Sequence, residues 1–376
     1  MTKNIKKRIP NNDENELQSI QHLKIKPKEL FLIDEHKNLT LDELITLIKN
    51  IDESKYSYNF NVSKIRNILE PLKKLKSLIG LDNIKNQIVN QILYFLQCFE
   101  THNDMLHTII QGPSGVGKTT IAMIIGDIYY NMGILKTKSI KKNNKIINLD
   151  DLFDISYNLK NNVKKKTHPF KKVTRVDLVA GFVGQTALKT QEVIDSCNGG
   201  VLFIDEAYAL GSIENSSNDF GKEAIDTIVS NLTDKKNSFL CIIAGYMEDL
   251  NKLFFSQNEG LARRFPFIYT IEKYTPVELF KIFCKNLTED NHWFIDKSIT
   301  EDFFITNNRY FKNQGGDIET LIFLCKINYG KRSFCKNIIN KKCISIDDLL
   351  NAFIEFKNLH KNDHDNEYSF NTLLYI

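Results

Sequence analysis

The middle of the chain alternates between short apolar runs and longer segments with helical spacing. Short runs that are apolar or largely apolar, at 106–110, 201–204 and 240–244, predict buried strands, and the β-branched residues within 173–176 predict a further strand. Segments with apolar positions three and four residues apart lie between these runs. Because strands and helices that alternate in this way form a parallel sheet covered on both faces, the pattern predicts an α/β domain.

Helical patterns also flank this central region. A capping box opens one helix at Thr40, with Glu43 three residues later, and a second box pairs Thr275 with Glu278. Proline follows Thr275 in the first helical position, where its missing N–H costs nothing. Beyond this point the patterns are helical. Predicted helices cover 120–125, 221–232, 277–287, 300–310, 318–329 and 346–356, and others begin near Ile84 and at Thr186.

A glycine-rich turn joins the first strand to the helix that follows it. The turn fits the pattern G-x-x-x-x-G-K-[ST], in which backbone N–H groups surround a polyphosphate without interference from Cβ atoms. Lys118 is then expected to reach the β- and γ-phosphates, and the Thr119 hydroxyl to occupy one Mg²⁺ position. The predicted nucleotide-binding residues of the turn are Gly112, Pro113, Ser114, Gly115, Val116, Gly117, Lys118, Thr119 and the following Thr120.

Two carboxylates end the strand predicted at 201–204. The carboxyl edge of an open α/β sheet is where ligands bind, so Asp205 is expected to hold Mg²⁺ and Glu206 to act as the general base on the attacking water. Side chains of adjacent strand residues diverge, which allows two roles. An apolar run that ends in Asp-Glu is by itself more often a strand entering a loop. Beside an intact phosphate loop, the catalytic interpretation is favoured.

Composition limits the function classes. The chain has 376 residues, 42% hydrophobic and 26% charged, with a net charge of +4, which suits a soluble protein of two or three domains. The stretch 136–172 holds eleven lysines and three aspartates and is interpreted as a solvated surface insertion rather than a nucleic-acid patch. The seven cysteines form no C-x-x-C pair, and no apolar run reaches membrane-span length. We expect a soluble intracellular protein, cytoplasmic, with reduced cysteines and no membrane contact.

These observations divide the chain into four predicted parts. A polar and helical N-terminal extension covers 1–70, and an α/β nucleotide-binding domain with the basic insertion covers 71–272. A small helical domain follows at 273–358, and a polar tail at 359–376.

Four stretches within residues 75–355 resemble the AAA+ ATPases, and among them the branch of CbbX/CfxQ and stage V sporulation protein K. They are 177–187, 199–208, 244–246 and 260–265. The resemblance implies a P-loop NTPase fold, an α/β domain with a parallel sheet (the AAA+ domain), followed by a small helical lid domain. It also implies ATP and Mg²⁺ as cofactors.

The resemblance also assigns roles to residues outside the phosphate loop. Ile79 and Gly80 would contact the adenine, and Tyr246 would occupy the sensor position of its strand. Arg264 would reach the γ-phosphate of a neighbouring subunit as an arginine finger, and Phe182 would grip substrate from the central-pore loop. Without that context, Arg264 would be interpreted as a solvated surface residue. For Phe182 the flanking glycines favour an exposed loop position, and the alternative is that the ring packs beneath its own loop.

Two features depart from the branch. Residues 313–319 lack the arginine with which relatives sense the nucleotide, and Lys331 or Arg332 are candidate substitutes. The basic insertion is the other departure. The leading hypothesis is an ATP-hydrolysing protein-remodelling ATPase that forms a homo-oligomeric ring, expected to be a hexamer, and acts on a protein client. The alternatives are a nucleic-acid motor or loader and a weakly hydrolysing nucleotide-dependent scaffold. Rubisco reactivation, known in part of this branch, is not inferred.

Overall fold

The structure of the protein is a computed structural model. It describes residues 28–31, 39–97, 105–135, 169–182, 184–211, 220–233, 239–258, 260–289, 293–334 and 342–372, with the side chains of the last range given as far as 359. The predicted basic insertion therefore lies outside the described residues, apart from 169–172 at its end.

Five parallel strands form the central sheet, in the spatial order β4-β5-β6-β3-β7. Parallel pairing places the carboxyl ends of all five strands at one edge. Within β5, Val201 and Phe203 pack on one face, whereas Leu202 and Ile204 pack on the other, as the two-residue period of a strand requires. The strands are β3 (Thr108–Gln111), β4 (Phe170–Val173), β5 (Val201–Ile204), β6 (Leu240–Gly245) and β7 (Phe267–Thr270).

Helices cover both faces of this sheet. One face packs against the helices that precede and follow β3, and the other face against the helices that flank β5. Short helical turns lie at Ala207–Leu210, Met247–Asp249, Leu250–Phe254, Phe255–Gln257 and Ala262–Arg264. The longer helices of this region are α4 (Asp82–Leu96), α5 (Lys118–Asn131), α7 (Thr186–Ser196) and α8 (Gly221–Thr233), and a single α-helical turn forms α6 (Arg175–Leu178).

The segment before α4 is helical and shares the core of the sheet. Leu44, Ile65 and Leu72 are buried in the same cluster as residues of α4 and α5. The predicted capping box at Thr40 is confirmed, since its side chain accepts from the Glu43 amide and the Glu43 carboxylate accepts from the Thr40 amide. The elements are β1 (Glu29–Leu30), α1 (Leu41–Lys49), β2 (Tyr56–Ser57), α2 (Val62–Asn67) and α3 (Leu69–Ser77), with β1 and β2 paired in parallel.

A helical lid follows the sheet and has its own core, in which Phe304 packs against Phe280, Phe283 and Phe311. The predicted capping box at Thr275 is confirmed by the hydrogen bonds that it exchanges with Glu278. The lid contains α9 (Pro276–Glu289), β8 (Phe294–Ile295), α10 (Glu301–Asn307) with a turn at Asn308–Tyr310, α11 (Gly315–Ser333), β9 (Cys343–Ile344) and α12 (Ile346–Thr372). The paired β8 and β9 were not predicted, because two residues carry no recognisable period.

Two strand assignments differ from the sequence pattern. The strand predicted at 173–176 is wrong: β4 ends at Val173, and Thr174 caps α6 by exchanging hydrogen bonds with Asp177. The capping box outweighs the β-branched composition. Strand β7 had no prediction at all. It forms because its backbone pairs with β3, which is a non-local cause.

Acid should weaken the fold through His107. The ring is buried, accepts from the Cys241 amide at Nδ1 (3.1 Å), and donates from Nε2 to the Leu232 carbonyl (3.2 Å). Burial lowers its pKa to about 4 from the usual 6.5, so the unfolded chain takes up a proton first as the pH falls. Between pH 7 and pH 5 we expect the fold to lose about 2 kcal/mol from this group. Urea unfolding at both pH values measures the loss.

The matched control is His107→Gln, which offers a donor and an acceptor without titrating in this range. The pH-dependent loss should shrink by about the same amount in this variant. An equal loss in both proteins would contradict the assignment.

Candidate active site

The phosphate loop lies at the carboxyl edge of the sheet, between β3 and α5. Gly115 and Gly117 have φ values of +72° and +85°, which residues with a Cβ rarely adopt. Helix α5 begins at Lys118, so the N-terminal end of the helix faces the space that the loop surrounds. Glycine is therefore required where the loop turns into the helix.

Lys118 is held inside its own loop. Its ammonium donates to the carbonyls of Gly112 and Pro113, each at 2.9 Å, and lies 5.4 Å from the centre of the Tyr246 ring. Burial lowers the pKa of Lys118, and the nearby carboxylates of Glu206 and Asp205 oppose this shift. The side chain is thus a buried cation with two carboxylates close by.

Asp205 and Glu206 follow β5 and point to different surroundings. Asp205 forms an ion pair with Lys172 of β4, with 2.7 Å between Oδ2 and Nζ. Glu206 has φ +53°, a left-handed conformation that a non-glycine residue adopts at a cost and that is common at functional sites. Burial raises the pKa of Glu206, and the Asp205 charge raises it further. A raised pKa suits a carboxylate that accepts a proton.

One cavity of about 410 Å³ joins the loop, the carboxylates and the lid. Residues 114–121 line one side, with Asp205 and Glu206 at the strand end. Ile79 lines the opposite side, next to Gly80, whose φ of +64° lets the chain turn into α4. Most of the predicted phosphate residues, both predicted metal ligands and Ile79 thus line a single space.

Six predicted residues do not line this cavity: Gly80, Gly112, Pro113, Phe182, Tyr246 and Arg264. Tyr246 contacts Lys118 but lines a neighbouring cavity with Gly112 and Pro113. Arg264 turns back on its own segment, where Nη1 donates to the Gly260 carbonyl, and its buried Nε has no partner within the described part of the chain. Phe182 is 73% exposed. The resemblance assigns Arg264 to a neighbouring subunit and Phe182 to a substrate, and a single chain contains neither partner.

The lid supplies cavity residues that the sequence pattern did not identify. Tyr274, Lys285 and Glu319 line the cavity, and Lys285 donates to the Ser77 carbonyl at 2.6 Å. The candidate substitutes for the missing arginine lie elsewhere: Lys331 and Arg332 form ion pairs with α12 at 3.0 and 2.7 Å. No local motif marks Tyr274 or Lys285, since the lid places them by tertiary packing.

The donor set fits a nucleotide-bound Mg²⁺ better than a metal held by protein alone. In the described ranges, no three histidine, cysteine or carboxylate side chains cluster as a metal site. Thr119 and Asp205 offer oxygen ligands beside the phosphate loop, which is the usual environment of Mg²⁺ shared with phosphates.

Across the described helices, none combines the length and the apolar character needed to cross a membrane.

Comparison with known proteins gives consistent matches. The family model described as "ATPase family associated with various cellular activities (AAA)" matches residues 108–266. The chain is 37% identical over 353 residues to a cfxQ-like protein of Acanthamoeba polyphaga mimivirus, covering 91% of this chain and 78% of that protein. It is 30% identical over 261 residues to stage V sporulation protein K of Bacillus subtilis (strain 168), covering 64% and 71%. The crystal structure of the FIGL-1 AAA domain in complex with ADP aligns at TM-score 0.47 and 17% identity, covering 73% and 82%.

Substitutions of Lys118 and Glu206 should separate nucleotide binding from turnover. Lys118→Ala removes the buried cation beside the loop, so nucleotide affinity should be largely lost. Glu206→Gln keeps the size of the side chain but removes the base, so ATP should bind and persist. Equilibrium binding of ATP and a steady-state phosphate-release assay measure the two effects. Near wild-type turnover by Glu206→Gln would contradict the assignment of the base.

Proposed function

Because the chain belongs to the AAA ATPases, in the branch of the CfxQ-like proteins and stage V sporulation protein K, we propose that it hydrolyses ATP to remodel a protein client. The AAA family implies nucleotide binding. The observation that supports hydrolysis is the single cavity in which the phosphate loop, Asp205 and Glu206 meet the lid. Within this cavity, the loop, Asp205 and Glu206 are each proposed to have a different role.

The chemistry follows from charge. Lys118 and the backbone N–H groups of the loop bind the phosphates, and Glu206 accepts the proton of the attacking water. A Mg²⁺ ion, when bound, neutralises phosphate charge beside Thr119 and Asp205. Lys172 forms an ion pair with Asp205 and so places a further positive charge next to the carboxylates at the end of β5.

We propose that the site is completed by a neighbouring copy in a ring, with a hexamer as the expected state. The described hydrogen bond of the Arg264 side chain is the one to the Gly260 carbonyl, and Nε has no described partner, so little is lost when the side chain turns outward. A guanidinium supplied in trans stabilises the charge that spreads over the γ-phosphate oxygens. These features support an arginine finger that serves the adjacent subunit.

Arg264→Ala should bind ATP almost as well as wild type but hydrolyse it on the order of 10³-fold more slowly, since an arginine finger acts in the transition state. Wild-type turnover per subunit should rise with protein concentration until rings saturate. The matched control is Arg263→Ala, which removes an exposed adjacent arginine and should have a small effect. Concentration-independent turnover by a protein that sedimentation shows to be monomeric would contradict the in-trans site.

We propose that Phe182 contacts the client. The ring is exposed, and a Cβ added at the flanking Gly181 or Gly184 would meet no other atom within 4 Å. Its backbone carbonyl accepts from the Gln185 amide, which ties the loop to the start of α7. The alternative in which Phe182 packs beneath its own loop does not agree with 73% exposure. An aromatic ring presented in this way makes apolar contacts that do not depend on client sequence.

Phe182→Ala should keep basal ATPase activity while losing stimulation by, and remodelling of, an unfolded protein client. Phe294→Ala is the matched control, because it removes a comparably exposed phenylalanine from the lid. Turnover with and without a permanently unfolded protein measures stimulation. If Phe182→Ala is stimulated as strongly as wild type, the pore-grip role is wrong.

Three further points concern the cysteines and the two alternative functions. Burial raises the pKa of the Cys197 and Cys325 thiols, in the latter to about 12, which fits thiols that serve as packing groups in the core. The nucleic-acid alternative depends mainly on lysines of 136–168, outside the described residues, and stays a prediction. A weakly hydrolysing scaffold differs from the main proposal in steady-state turnover, which the assays above measure.

A further inference from the structure

Two hydrogen bonds connect the lid directly to the backbone of the phosphate loop. The Tyr274 hydroxyl donates to the Val116 carbonyl at 3.0 Å. The Gly315 amide, at the start of α11, donates to the Gly115 carbonyl at 3.0 Å. The lid therefore engages the carbonyls of two consecutive loop residues. Burial raises the pKa of Tyr274, so its hydroxyl keeps the donated proton at neutral pH.

A buried glutamine joins these two contacts. Gln314 accepts from the Tyr274 amide at 2.8 Å and donates to the Phe311 carbonyl at 3.0 Å. Its φ of +51° is unusual for a residue with a side chain, and such strain persists only where the surroundings enforce it. Gln314 thus fixes Tyr274 and the start of α11 relative to each other.

The approach of α11 to the loop depends on glycine. A Cβ at Gly315 would lie 2.6 Å from the Gly115 carbonyl oxygen, and a Cβ at Gly115 would lie 1.9 Å from the Asn313 carbonyl oxygen. Real Cβ atoms do not approach oxygen so closely, so a side chain at either position would separate the two segments. By contrast, a Cβ at Gly330 of the same helix would meet nothing within 4 Å.

The geometry of the peptide group gives these contacts a function. In a planar trans peptide the C=O and the next N–H point in opposite directions. Fixing the Gly115 and Val116 carbonyls toward the lid therefore fixes the Val116 and Gly117 N–H groups toward the other side of the loop. In a phosphate loop such N–H groups are the ones that bind phosphate.

We propose that Tyr274 and Gly315 are positioning residues that clamp the phosphate loop, so that nucleotide binding and lid docking stabilise each other. The inference rests on the nucleotide binding proposed above and names its regulation. Reciprocity is a thermodynamic requirement: if lid docking orders the loop for nucleotide, nucleotide must strengthen lid docking by the same factor. The clamp makes this connection through the backbone rather than through an arginine side chain.

Tyr274→Phe tests the clamp with the least disturbance, because it keeps the ring and removes the donor. The dissociation constant for ADP should rise between about twofold and about tenfold, which is the net worth of one hydrogen bond. The KM for ATP should rise by a similar factor while kcat stays within about twofold, as expected for binding that is equal in ground and transition states. The matched control is Tyr310→Phe, whose hydroxyl bonds to Arg309 within the lid and should matter little.

Gly315→Ala provides the second, independent variant, with Gly330→Ala as its control on the same helix. Hydrogen exchange is followed in the peptide that contains Gly315, with and without ADP. Both clamp variants should exchange faster there than wild type in the nucleotide-free protein, and ADP should protect the peptide less. Because the two residues act in one clamp, the effects of Tyr274→Phe and Gly315→Ala on ADP affinity should not multiply in the double variant.

The outcomes distinguish this proposal from the proposed function. If wild type binds ADP and both clamp variants match it in affinity and in exchange at Gly315, the clamp is wrong while nucleotide binding stands. If wild type fails to bind ADP or ATP, the proposed function is wrong and the regulatory role of the clamp falls with it. If the ADP effects of the two variants multiply independently, the residues do not form one unit.

Discussion

The orientation of the peptide groups in the phosphate loop is the constraint on which the candidate site depends. A tight loop of this kind has more carbonyls than its own helix can satisfy, and a buried carbonyl without a donor is costly. The chain meets this need from two directions. Lys118 donates to the carbonyls at the start of the loop, and the lid donates to those of Gly115 and Val116. Strand β3, helix α5 and the lid therefore meet at the same short stretch of backbone.

The carboxylates are governed by a second, electrostatic balance. Asp205 is neutralised by Lys172 from the neighbouring strand, whereas burial and the Asp205 charge act together to favour the protonated form of Glu206. Adjacent residues of one strand end thus lie in different electrostatic surroundings, an arrangement that allows two acids to take different roles. Parallel pairing of β4 with β5 brings Lys172 into this balance.

Features that a few consecutive residues determine could be predicted from the sequence, whereas features that depend on contacts between distant residues could not. The strand over 201–204 and the capping boxes at Thr40 and Thr275 were predictable because a few consecutive residues determine them. The family resemblance to CfxQ-like AAA ATPases was also carried by continuous motifs and is confirmed by the relatives. Strand β7 and Tyr274 were missed because their roles arise from contacts with residues more than a hundred positions away. The displaced β4 shows that one cap can outweigh β-branched composition.

The helices before α4 determine how short a fragment of this chain can be while its central sheet stays covered. Leu44, Ile65 and Leu72 are buried in one cluster with α5, and Lys74 of α3 forms an ion pair with Asp127 of α5 at 2.8 Å. Each fully buried aliphatic side chain contributes about 1.5–3 kcal/mol, so the loss of Leu44 and Ile65 costs a large part of the stability of a typical domain. Helix α5 begins with Lys118. A fragment that starts at residue 71, with the motifs intact, would lose Leu44 and Ile65 and expose the apolar surface of α3, the helix that packs against α5, whereas one that starts before Thr40 would keep that surface covered.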